Sequence, residues 1–92
     1  MMIKTIAKAL WAINEMAPKF NFKVTGLHPN GPDAVITSNL EGPLFIEHEH
    51  DTYILTNEVG DELFRSKNLL DVVAAVCRIS FSDWVTSRME NL

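Results

Sequence analysis

The residues of this chain with most capacity for chemistry stand in one string, Glu47-His48-Glu49-His50-Asp51. Alternate residues of an extended strand share a face, so His48 and His50 would present two imidazoles to one side. Zinc takes three or four protein ligands, and His28, Glu58 or Asp61 would have to complete the set. His28 lies about twenty residues away in a loop, and no spacing aims it at the pair. A polar hairpin tip is the simpler reading, and no metal or other cofactor is expected. Protonation of the imidazoles beside these carboxylates would also strip negative charge from the string as pH falls, a potential pH switch.

Catalysis finds less support. Ser38, Ser66, Ser80, Ser82 and Ser87 occupy no nucleophile elbow and adjoin no histidine. The carboxylates crowd onto turns, where they more often form a solvated face than an acid/base pair. There is no Gly-rich phosphate loop. The single cysteine, Cys77, excludes an intrachain disulfide and points to a reducing, cytoplasmic setting. It falls within an apolar helical pattern, where a thiol acts as a small hydrophobe. The chain is therefore expected not to be an enzyme.

Charge is more informative. Val24 to Phe64 carries Asp33, Glu41, Glu47, Glu49, Asp51, Glu58, Asp61 and Glu62 and no lysine or arginine, within a chain whose net charge is only −4. Lys4, Lys8, Lys19 and Lys23 precede it, and Arg65, Lys67, Arg78 and Arg88 follow. A surface built only for solubility would intersperse the signs. One that keeps a single sign gains steering toward an opposite charge. Glu47, Glu49, Asp51, Glu58, Asp61 and Glu62 are the expected contacts to a basic partner. Direct nucleic-acid binding by this acidic region is disfavoured, because phosphates require cations.

The elements that must position these groups follow from periodicity. With 92 residues and 47% hydrophobic content, the chain is expected to form a single domain, residues 1–92. Ile3, Ile6, Leu10, Ile13 and Ala17 make one helical stripe, which Pro18 stops. The apolar run Ala9 to Ile13 is too short for a signal peptide or a membrane span. Trp11 falls on the opposite face with Lys4, Lys8 and Glu15. It is a candidate interface anchor, or a ring folded over a sheet edge or a lysine stem. Phe20, Phe22 and Val24 alternate as a first strand, and the run His28 to Asp33 is a loop. Strands are expected at Ala34–Ser38, from Leu44-Phe45-Ile46, at Thr52–Thr56 and at Glu62–Arg65, with Gly60 supplying a positive φ in the turn before the last.

Asn68 offers an N-cap to a helix whose broad face holds Leu69, Val72, Val73, Val76, Cys77, Ser80 and Trp84. A straight helix to Glu90 would leave Val85 and Met89 facing solvent. That predicts a break near Ser80-Phe81-Ser82, with Ser82 capping a short final helix; the alternative is an exposed contact patch. The expected fold is α+β, an antiparallel meander of four or five strands with the N-terminal and C-terminal helices packed on one face.

Three stretches, Ile6-Ala7-Lys8-Ala9-Leu10-Trp11-Ala12-Ile13, Leu27 to Asp33, and Asn68 through Arg78, give the chain a whole that resembles the small phage-encoded anti-CRISPR proteins inhibiting type I-F systems. The resemblance implies a non-enzymatic inhibitor in the host bacterial cytoplasm. Such a protein binds the crRNA-guided surveillance complex, a basic nucleic-acid-binding assembly, and blocks target DNA. These inhibitors share no catalytic residues, so no residue role is carried over. Lys4 and Lys8 could add a peripheral crRNA contact, and a monomer without membrane association is expected. The rival is a generic interaction or dimerisation domain, pairing through Val85 and Met89 or through a sheet edge.

Overall fold

The computed structural model describes residues 2–26, 33–39 and 42–90. The order is α1 (Met2–Met16), β1 (Lys23–Thr25), β2 (Ala34–Thr37), β3 (Leu44–Glu49), β4 (Thr52–Thr56), β5 (Glu62–Ser66) and α2 (Leu69–Glu90). The strands form one antiparallel sheet in chain order, β1-β2-β3-β4-β5. Both helices lie on the same face, side by side: α1 against β1 and α2 against β4 and β5. This is the expected two-layer α+β meander. No helix among the described residues is long and apolar enough to cross a membrane.

Local chemistry sets most of the boundaries. Ile6 and Leu10 are the buried stripe of α1, which ends before Pro18. Asn68 caps α2 by accepting the Leu70 N–H at 3.0 Å, and Asp71 sits in the first turn, where the helix dipole favours an anion. The β4–β5 turn is organised by Asn57, whose side chain accepts the N–H groups of Val59 and Asp61, while Gly60 takes φ +90°. The core between the layers combines Ile6 and Leu10 with Phe20, Phe22, Ala34, Ile36, Ile46, Leu55 and the α2 residues Val72, Val73, Ala75 and Val76.

Two expectations are corrected. The first strand does not begin at Phe20. Asn21 adopts φ +47°, a left-handed conformation that asparagine tolerates, so regular pairing starts at Lys23 although Phe20 and Phe22 still turn inward. The helix break at Ser80–Ser82 is absent, and α2 runs unbroken for 22 residues. Its last buried residue is Ser80; beyond it, Phe81 and Trp84 pack with Phe20 from the α1–β1 connection. Lys19 and Arg88 lie over the Trp84 ring at 4.1 and 5.3 Å from its centroid. The second half of the helix thus rests on an aromatic cluster, so Val85 and Met89 need no core to face.

Candidate interaction surface

The pairing registers decide which strand residues face the helices. Ile46 opposite Leu55, and Ala34 opposite Ile46, are core pairs. Their chain neighbours must therefore point the other way. The face that no helix covers carries Val35 opposite Phe45, Phe45 opposite Thr56, and Glu47 opposite Ile54, itself opposite Arg65. Val35, Phe45 and Ile54 stand outside the helix-side cluster. Val35 and Phe45 are half-buried, and Ile54 is only 8% exposed, shielded by its neighbours on an otherwise open face. This apolar centre was not anticipated, yet the sequence held its signal: Ala34-Val35-Ile36, Leu44-Phe45-Ile46 and Tyr53-Ile54-Leu55 are unbroken apolar triplets, which a strand polar on one face would not contain.

The acids do not form one belt. Glu47 and Glu49 lie exposed on the open face of β3. Asp51 stands at the β3–β4 hairpin tip, 3.3 Å from the Lys67 ammonium. Glu58 and Asp61 occupy the β4–β5 turn, at the far end of β4 and so ~17 Å away at strand rise. Glu62 is held by Arg65 through a two-point hydrogen-bonded pair, which lowers its carboxyl from the ordinary range and raises the guanidinium. Asp33 accepts the His48 backbone N–H at 2.6 Å, tying β3 to the start of β2. Among the described residues Glu47, Glu58 and Asp61 make no ion pair, so their charge is available to a partner.

At the turn end, Glu58 shares a depression with Asp83, a carboxylate that sequence reasoning did not single out. An open depression of roughly 380 Å³ is lined by Pro43, Leu44, Val59, Leu63, Ile79 and, at its polar rim, Glu58 and Asp83. An apolar floor beneath two carboxylates suits the aliphatic stem and cationic head of a lysine or arginine.

The histidines are not brought together as ligands. His48 stacks on Tyr53 with ring centroids 4.3 Å apart, whereas His50 occupies the two-residue hairpin turn at φ +57° and leaves the strand's alternation. No cluster of three potential metal ligands occurs among the described residues. His28 and Glu41, and with them most of the Leu27–Asp33 stretch, lie outside those residues. Burial pushes the Cys77 thiol upward, consistent with an inert packing group. Trp11 is 66% exposed and lies beside the sheet edge at β1, away from the acids.

The chain was compared with protein-family models, curated proteins and solved structures, and it matches none of them significantly.

Proposed function

We propose that this protein is a non-enzymatic binding protein that docks its open sheet face onto a basic surface of a nucleic-acid-handling protein. The observation that carries this reading is the uncovered apolar centre at Val35, Phe45 and Ile54, with exposed Glu47 and Glu49 on the same face. Partner-binding surfaces combine an apolar centre with a polar rim, and like charges on that rim select a partner of opposite sign. The depression at Glu58 and Asp83 offers a second place for a basic side chain.

The resemblance to type I-F anti-CRISPR proteins specifies the partner within this proposal: the crRNA-guided surveillance complex, whose basic groove holds target DNA. Occupying that groove would block DNA binding in the host cytoplasm. The test is a target-DNA gel shift with a type I-F surveillance complex at two salt concentrations. Loss of the shifted band, relieved as salt rises and abolished by Glu47→Lys with Glu49→Lys, is the expected result. An unaffected band would sink the inhibitor reading for that system.

A further inference from the structure

The edge of the sheet beside α1 has the makings of a second binding site, with opposite charge to the open face. Two contacts fix α1 against this edge. Ile3 Cδ1 lies 2.1 Å from where a Cβ on Gly26 would stand, so the Ile3 side chain rests on the bare glycine backbone and any larger residue there would make it shift. Eleven residues on, the Asn14 amide bonds both backbone groups of Phe22: its Nδ2 donates to the Phe22 carbonyl and its Oδ1 accepts the Phe22 N–H, each at 2.8 Å. Between these pins a groove of about 410 Å³ opens between helix and strand. Leu10, Trp11, Phe22 and Val24 give it apolar walls, and Lys23 lines its rim.

The Asn14 bonds also fix the direction of the edge. They show that the Phe22 backbone points out of the sheet toward α1. In an antiparallel ladder the outward and inward positions alternate, so Lys23 and Thr25 bond to β2 while Val24 turns its N–H and C=O outward into the groove. Asn14 thus fills the first rung of a missing strand, and Val24 offers the next. Lys8 and Lys4, three and seven residues before Trp11, share its side of α1. Glu15 shares that side as well, and Lys23 lines the groove from the strand, so three lysines stand against one carboxylate around it.

We infer that the α1–β1 groove binds a short, extended, acidic peptide segment that adds to the edge of β1. One apolar side chain would lie under Trp11 and carboxylates would meet Lys8 and Lys23, a mode in which main-chain bonds give affinity and alternate side chains give specificity. The pins limit the segment to about four extended residues, ~13 Å at strand rise.

The experiment is an NMR titration of the ¹⁵N-labelled full chain at low salt with a blocked tetrapeptide alternating glutamate and valine. Saturable shifts at the Val24 amide and the Trp11 indole N–H are expected. Methylating the central peptide nitrogens, or introducing Lys8→Glu with Lys23→Glu on the exposed surface, should each weaken binding at least ~tenfold. Three results would overturn the inference: no shift at either signal at ~1 mM peptide, where a millimolar Kd would half-saturate; equal binding of the N-methylated peptide, which would exclude strand addition; or tighter binding at the same signals by a single-stranded oligothymidylate, which would make the site one for nucleic acid.

Discussion

The two faces of the sheet are made from adjacent residues, yet different demands shape them. Leu55 and Ile46 point to the helices and are completely buried; Ile54 and Phe45, one position away, point to a face with no covering layer. Folding explains the first pair, since burying them drives helix onto sheet. It does not explain why Phe45 and Val35 remain half-exposed beside exposed glutamates, where threonine would serve a solvated strand as well. On the proposed function, the difference separates residues kept for stability from those kept for contact.

That separation can be broken most directly at β4. Leu55→Ala should cost about 3 kcal/mol in denaturant unfolding, because it empties a site enclosed on both sides. Ile54→Ala should cost only about 1–2 kcal/mol, because water and the neighbouring Glu47 and Arg65 side chains can close over the gap. Equal losses would mean that the open face is as much a core as the other. Phe45→Thr sharpens the contrast: about 1 kcal/mol of stability or less, with at least ~tenfold weaker partner binding by gel shift. Glu47→Lys with Glu49→Lys should leave the unfolding midpoint nearly unchanged, within ~0.5 kcal/mol. Its effect should be slower association with the partner, most marked at low salt.

The smallest effect concerns Glu62 and Arg65, the pair with which the open face satisfies its own charge. Folding lowers the Glu62 carboxyl from its ordinary 4.5, so any stabilisation is present above that value and lost as pH falls through the lowered one. Glu62→Gln should therefore remove a slight acid-side slope from the stability profile, measured by denaturant melts below about pH 4.5, and leave neutral stability almost untouched.

How far the sequence disclosed this arrangement depended on the range of the interaction. The stop before Pro18, the Asn68 cap and the Gly60 turn are decided within a few residues, and all are found where local chemistry places them. The left-handed Asn21 escaped because Phe20, Phe22 and Val24 keep an inward alternation across the irregularity. Counting helical faces gave a break in α2 because every apolar residue was assigned to the sheet. The aromatic cluster of Phe20, Phe81 and Trp84 joins residues more than sixty positions apart. Likewise, no count of charges shows that Lys67 answers Asp51 and Arg65 answers Glu62 while Glu47 has no counter-ion among the described residues; those pairings depend on strand register and turn geometry. The candidate surface was thus half legible, its acids visible and its apolar centre hidden in triplets that resembled ordinary core.

The identity of sheet order and chain order has a consequence for synthesis. Each strand pairs with the one just made, so the sheet can grow by successive short loop closures, a topology of low contact order that favours rapid folding. The helix covering β4 and β5 comes last. Until Leu69 to Ser80 leave the ribosome, the nascent chain holds a nearly complete sheet with part of its inner apolar face bare. The interval of greatest aggregation risk therefore falls between the completion of β5 and the emergence of α2 as far as Ser80.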